Sequence, residues 1–92
     1  MPSVSLTLIG KPGCHLCDDA RDAIRGVLDD LAADSSVPSV DVNVTELSIL
    51  DNPALLDEFA EEIPVVMIDG RVHTIWRVEP ARLRTALLEA SA

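Results

Sequence analysis

The sequence is poor in basic and aromatic residues and contains no long apolar run. It has 7 Lys and Arg residues against 16 Asp and Glu residues, which gives a formal net charge of −9. Phosphate contacts depend on clustered Lys and Arg, so this balance argues against nucleic acid and against anionic membrane surfaces as partners. Phe59 and Trp76 are the only aromatic residues, so the core must consist of Val, Leu, Ile and Ala.

We also expect no targeting signal. The stretch from Met1 to Val4 lacks the basic region and the long apolar run of a signal peptide, and no segment is long enough to span a membrane. We therefore expect a cytoplasmic protein. In that reducing compartment a structural disulfide is rare, so two cysteines three positions apart indicate redox or metal chemistry. The length predicts a single domain over residues 1–92.

Hydrophobic periodicity predicts seven elements in the order β-α-β-α-β-β-α. Alternation over residues 3–9 indicates a strand, and helical spacing indicates a helix over residues 14–33. Residues 40–45 alternate as a second strand, and residues 46–52 have no clear pattern. Asn52 and Pro53 then form a typical helix start, with Leu55, Leu56 and Phe59 as its buried stripe.

The last third of the sequence predicts a hairpin followed by a helix. The apolar run over residues 63–68 indicates a central strand, Asp69-Gly70 is a tight-turn pair, and residues 71–76 return antiparallel. Glu79-Pro80 opens the final helix, whose inward residues are Leu83, Leu87 and Leu88. We therefore predict an α/β fold, with a four-stranded mixed sheet, a parallel first strand pair and helices on both faces.

The candidate reactive group is the pair Cys14 and Cys17, at a junction between strand and helix. Residues three apart in a helix share one face, so the two sulfurs can meet. Free N–H groups at a helix start stabilise a thiolate, and Lys11 and a protonated His15 would add to this effect. We expect Cys14 to be the exposed nucleophile and Cys17 the shielded resolving thiol.

One feature of the sequence opposes a reactive Cys14, and two other roles for the cysteine pair remain open. Asp18, Asp19 and Asp22 lie in the first turns of the same helix and would repel a thiolate at Cys14. The pair could instead be two buried cysteines without chemistry. It could also supply half of a zinc site that His15 and His73 would complete, although nothing in the sequence brings His73 near.

The chain resembles the glutaredoxin-like group of the thioredoxin superfamily. The resemblance is carried by residues 11–17, Lys-Pro-Gly-Cys-His-Leu-Cys, and by Ile63-Pro64-Val65 at the third strand. It implies a thioredoxin-like fold, a cis bond between Ile63 and Pro64, and pairing of the Ile63 backbone with an extended substrate. We therefore assign catalysis to Cys14 and Cys17, and substrate binding to Lys11, His15, Ile63 and Pro64. Without the resemblance, Pro64 would be an ordinary proline at a strand start.

The sequence departs from that group between the cysteines and in the stretch of its glutathione site. Dithiol relatives usually place Pro-Tyr or a similar aromatic between the cysteines, where this sequence has His15-Leu16. Their Gly-Gly turn before the last helix is missing from residues 74–79, which argues against a glutathione site. Arg77 could still hold a carboxylate. Trp76 in this stretch is interpreted as a packing residue, and His73 as exposed.

The predicted function is that of a thiol–disulfide oxidoreductase in cell redox homeostasis and electron transport. Its substrates would be disulfides of proteins or small thiols. Its electron donor would be a low-molecular-weight thiol or a flavoprotein reductase, without a bound cofactor or metal. We expect a monomer. Two alternatives remain: an iron–sulfur cluster carrier using Cys14 and an external thiol across a dimer, and a redox-fold adaptor that binds partners without turnover.

Overall fold

The computed structural model describes residues 3–92. Met1 and Pro2, the first two residues of the stretch that lacks signal-peptide features, lie outside the described residues. The element order is β-α-β-α-β-β-α, as predicted. The strands are β1 (Ser3–Gly10), β2 (Asp41–Ser48), β3 (Val65–Ile68) and β4 (Arg71–Ile75). The helices are α1 (His15–Ala33), α2 (Pro53–Phe59) and α3 (Pro80–Ser91). None of the helices in residues 3–92 combines the length and the apolar character needed to cross a membrane.

The four strands form one mixed sheet in the order β2-β1-β3-β4. β1 runs parallel to β2 and antiparallel to β3, and β3 runs antiparallel to β4. Asp69 and Gly70 form the turn between β3 and β4 with φ angles of 50° and 81°. A two-residue hairpin turn needs two positive φ angles to match the strand twist. The tight turn predicted at Asp69-Gly70 is therefore confirmed.

One face of the sheet carries the larger part of the core. Val4, Leu6 and Leu8 alternate along β1 and are buried, as the period of two predicts. Helices α1 and α3 cover this face with their apolar stripes. The buried residues that they contribute are Ala20, Ile24, Val27, Leu31, Leu83 and Leu87. The core therefore depends on aliphatic side chains, and it fixes α1 against the sheet.

The opposite face carries a smaller cluster under α2. Ile9, Ile49, Phe59 and Val65 are buried there, and Leu55 packs against them. Asn52 caps α2, since its side-chain oxygen accepts a hydrogen bond from the Ala54 N–H at 3.0 Å. Helices therefore lie on both faces of the sheet, as expected.

Several local predictions need correction. Leu56 was expected in the buried stripe of α2, but it is 43% exposed because the short helix presents only Leu55 and Phe59 to the sheet. The unassigned stretch after residue 45 continues β2 to Ser48, paired with Gly10 of β1. Trp76 was expected to pack, but it is 55% exposed. His73 was expected to be exposed and is partly buried, and this burial lowers its pKa.

Candidate active site

Cys14 is the N-cap of α1, and Cys17 lies in the first turn of that helix. The preceding loop turns sharply at Gly13, whose φ is 74°, in the left-handed region that favours glycine. The Cys17 backbone N–H donates a hydrogen bond to Cys14 Sγ at 3.1 Å. The Cys14 sulfur therefore takes the place of a capping oxygen at the positive end of the helix.

The two sulfurs are joined in a disulfide, and the Cα atoms are 5.2 Å apart. Cys14 is partly exposed, whereas Cys17 is only 1% exposed. The predicted geometry is therefore present, with two sulfurs on one face and the outer one accessible. The chemical roles assigned to them remain predictions.

Gly10, at the end of β1, packs directly against the inner sulfur. It continues the alternation of Leu6 and Leu8 and so faces α1. A Cβ atom at Gly10 would lie 2.8 Å from Cys17 Sγ and 3.3 Å from Cys17 Cβ. The absence of a side chain here is therefore what lets the strand approach the disulfide.

The loop before β3 lies beside the same end of the sheet. Val65 pairs with Ile9 of β1. Because the two strands are antiparallel, Pro64, one residue before Val65, lies opposite Gly10 at the end of β1. The Ile63–Pro64 bond is cis, as the resemblance implied. Pro64 is buried and Ile63 is partly exposed. Among residues 3–92, the backbone N–H and C=O of Ile63 make no hydrogen bond to another protein group.

Lys11 and His15 are both exposed beside the cysteines. Lys11 lines a cavity that Cys17, Arg21 and Glu46 also line, whereas His15 is the first residue of α1. The structure therefore places both near the disulfide. Neither makes a side-chain hydrogen bond or ion pair with another group in the described chain.

Arg21 forms ion pairs with two carboxylates beside the inner cysteine. It donates hydrogen bonds to Glu46 at 2.6 Å and to Asp18 at 2.8 Å, and these bonds raise the pKa of Arg21 above its ordinary value. Asp18 was expected to oppose a thiolate at Cys14, and the Arg21 guanidinium shares its one positive charge between Asp18 and Glu46. Asp19 and Asp22 remain exposed on α1. Arg21 therefore offsets no more than the charge that Glu46 adds, and the expected repulsion of a thiolate is not removed.

The proposed zinc ligands are not assembled. His73 lies on β4 in a depression that Asp69, Arg71 and Glu89 also line, and this depression includes neither cysteine. Within residues 3–92, no group of three or more His, Cys, Asp and Glu side chains is placed to hold a metal ion.

Three features of the site were missed from the sequence. Gly10 was left outside the predicted strand over residues 3–9, although continuing the period-two pattern of β1 would have placed it against the helix. Arg21 and Glu46 are 25 positions apart and are joined only by the fold. Trp76 adopts a φ of 69°, which no sequence pattern predicts for a bulky residue.

The fold and the site together define a class of protein: a thioredoxin-like domain with a disulfide-forming cysteine pair at the start of its first helix. Mitochondrial thioredoxin 3 from Saccharomyces cerevisiae, in its oxidised form, has this fold, with a TM-score of 0.61 at 12% identity over 94% of this chain and 77% of that one. Protein XcR50 from X. campestris matches with a TM-score of 0.67 at 30% identity, over 95% of this chain and 99% of that one.

The chain belongs to the glutaredoxin-like domain family (DUF836), whose model matches residues 5–88. The uncharacterized protein Rv0508 of Mycobacterium tuberculosis is 30% identical over 99% of this chain and 90% of its own length. A glutaredoxin-like protein of Dictyostelium discoideum is 26% identical over 88% of this chain and 72% of its own length. The predicted resemblance is thereby confirmed at the level of family and fold.

Proposed function

We propose that this protein is a dithiol–disulfide oxidoreductase that reduces disulfides of proteins or small thiols. The observation that carries the proposal is the asymmetric cysteine pair, with a partly exposed Cys14 and a buried Cys17 joined at the start of α1. A structural disulfide would link distant parts of the chain, but this one closes a loop of sequence separation 3. Such a small loop removes little chain entropy, so the bond serves exchange better than stability.

The reaction begins with the reduced pair. The Cys14 thiolate attacks one sulfur of a substrate disulfide, a new S–S bond forms, and the other substrate sulfur leaves as a thiolate. Cys17 then loses its proton to solvent and attacks the Cys14 sulfur, which releases the second substrate sulfur as a thiolate. Both released thiolates take up protons from solvent. The substrate is reduced by two electrons, and the protein is oxidised to the Cys14–Cys17 disulfide.

The backbone at the helix start supports the first step. The Cys17 N–H already points at Cys14 Sγ, and it would donate to a thiolate at the same position. A hydrogen bond to an ionised acceptor is stronger than one to a neutral acceptor. The site therefore favours the nucleophilic form of the outer cysteine without needing a neighbouring general base.

The loop before β3 supports substrate binding. The unpaired N–H and C=O of Ile63 could pair with the backbone of an extended substrate beside the disulfide. Pro64 would hold this loop against the end of β1, and Lys11 and His15 would form the opposite rim. The substrate cysteine would thereby be held at the outer sulfur.

Regeneration needs an external reductant. A low-molecular-weight thiol or the dithiol of a flavoprotein reductase would attack the Cys14–Cys17 disulfide and return two electrons. We propose that the protein works in this way as a monomer in the cytoplasm, without a bound cofactor. Its acidity makes nucleic acid and membrane surfaces poor partners.

The proposal is tested with two matched variants, Cys14→Ser and Cys17→Ser, each lacking one sulfur. The reduced wild type should reduce a protein disulfide and end as the internal disulfide. Cys17→Ser should stop at a mixed disulfide with the substrate, detectable as added mass, and Cys14→Ser should do neither. Turnover by Cys14→Ser, or none by the wild type, would overturn the proposal. Cluster absorbance in anaerobically purified protein would favour the iron–sulfur alternative.

A further inference from the structure

Trp76 combines an unfavourable backbone conformation with an exposed side chain. It directly follows β4 with a φ of 69°, and it is 55% exposed. A bulky residue rarely adopts this φ, and an aromatic ring gains little from burial that is only partial. Stability of the fold alone therefore does not explain a tryptophan at this position.

Two hydrogen bonds hold Trp76 in place. Its backbone N–H donates to the Pro64 C=O at 2.8 Å, which ties it to the loop beside the disulfide. Its indole Nε1–H donates to the Glu61 C=O at 3.1 Å. The polar edge of the ring is therefore satisfied by protein, and the apolar surface of the ring is left at the molecular surface.

Trp76 and Leu16 line one depression of about 230 Å³. Leu16 lies between the two cysteines and is 41% exposed, so both are large apolar residues open to solvent. Ala20, Val78, Asp19 and Arg77 also line the depression. Asp19 and Arg77 carry opposite charges, so the two exposed apolar side chains, rather than a charge of one sign, distinguish this depression.

We propose that Trp76 and Leu16 form a specificity subsite for an apolar side chain next to the reactive cysteine of a protein disulfide. The depression is tied to the reactive site through its two apolar residues, because Leu16 lies between the two cysteines in sequence and the Trp76 backbone N–H donates to the Pro64 C=O. A polypeptide paired with Ile63 would pass beside it. The preferred substrate is then an extended polypeptide with an apolar residue flanking its cysteine, rather than a small charged thiol. This inference rests on the proposed oxidoreductase function.

The test compares two short peptides that differ only beside their cysteine, one with Leu on both sides and one with Gly on both sides. Each is supplied as a mixed disulfide with 5-thio-2-nitrobenzoate. Attack of reduced Cys14 on the peptide sulfur then releases the coloured thiolate. The readout is the ratio of the second-order rate constants for the Leu and Gly peptides. We expect the wild type to favour the Leu peptide about five- to tenfold.

Variants of the two exposed apolar residues of the depression locate the preference. Trp76→Ser and Leu16→Ser should each lower the ratio to about twofold or less, and Trp76→Phe should retain most of it because the ring remains. Val72→Ser is the control, because Val72 is a 51% exposed apolar residue in a different depression, beside α3. This control should keep the wild-type ratio. Circular dichroism establishes that each variant is folded.

The outcomes distinguish a failure of the oxidoreductase function from a failure of the subsite. If the reduced wild type releases no thiolate from either peptide, the oxidoreductase function itself fails. If it reacts with both peptides at equal rates, or if both serine variants keep the wild-type ratio, the function stands and the subsite is overturned. A loss of the ratio in Val72→Ser would also contradict it, because the preference would then not be located beside the disulfide.

Discussion

The substitution Gly10→Ala tests the packing of β1 against the inner cysteine. The added Cβ would lie 2.8 Å from Cys17 Sγ. Non-bonded heavy atoms prefer about 3.5–4.0 Å, so the strand or the sulfur must move by roughly 0.7 Å or more. The strand cannot yield easily, because the Gly10 C=O accepts a hydrogen bond from the Ile49 N–H at 3.0 Å.

The cost of this substitution has two opposing parts. Overpacking of a rigid core costs about 1–3 kcal/mol. Alanine also restricts the unfolded chain, which stabilises by about 0.4–1 kcal/mol where the native φ is allowed. We expect a net loss of about 1–2 kcal/mol in the free energy of unfolding, which corresponds to a Tm lower by about 4–16 °C. The loss should be smaller in the reduced protein, where Cys17 Sγ is free to rotate away.

Gly26→Ala is the matched control for this measurement. Gly26 lies on the exposed side of α1, and an added Cβ would meet nothing within 4 Å. This variant should be more stable by about 0.8–1.0 kcal/mol, because alanine is the better helix former. Thermal or urea unfolding, followed by Trp76 fluorescence, gives both values. If Gly10→Ala were as stable as Gly26→Ala in the oxidised protein, the close approach of β1 to the sulfur would be refuted.

Three further predictions concern stability. Asn52→Ala removes the cap of α2 and should cost about 1 kcal/mol in urea unfolding, whereas Asn52→Ser keeps an acceptor and should cost less. Hydrogen bonds from Ser36, and then the charge of Arg84, lower the pKa of Asp34 below 3.8, so they stabilise the fold above that pH. This stability is lost as the pH falls through the lower folded pKa, and Asp34→Asn should flatten the pH dependence there. Burial, and then Arg82, lower the pKa of His73, so protonation opposes folding; stability should fall as the pH drops below 6.5, and less so in His73→Gln.

Each of these three predictions has a result that would contradict it. Equal stability of Asn52→Ala and wild type would mean that the cap contributes nothing. If the stability of Asp34→Asn decreased at acid pH as steeply as that of the wild type, Ser36 and Arg84 would not favour the ionised form of Asp34. A His73→Gln variant that loses stability as steeply as wild type below pH 6.5 would assign that loss to other groups.

Much of the fold follows from short-range patterns in the sequence. The period of two in β1 and the Asp69-Gly70 turn each point to one local structure, and each was predicted. The cap at Asn52 is equally local, because its partner lies two residues away. The position of the cysteine pair at a helix start could be predicted for the same reason, since it depends on one strand–loop–helix junction.

The surroundings of the cysteine pair could not be predicted, because long-range contacts determine them. Glu46 meets Arg21 only because β2 pairs in parallel with β1 beside α1. The cis bond before Pro64 came from the family resemblance, since most bonds of this type are trans. Trp76 has a positive φ after β4, a conformation that propensity would assign to glycine.

The division of roles between the two cysteines is tested most directly by alkylation of the fully reduced protein. A limiting amount of iodoacetamide is added, and the modified residue is identified by mass spectrometry over time. The partly exposed Cys14 should react at least about tenfold faster than the buried Cys17, since thiolate character and access govern the rate. Equal rates, or faster modification of Cys17, would contradict the assignment of Cys14 as the nucleophile.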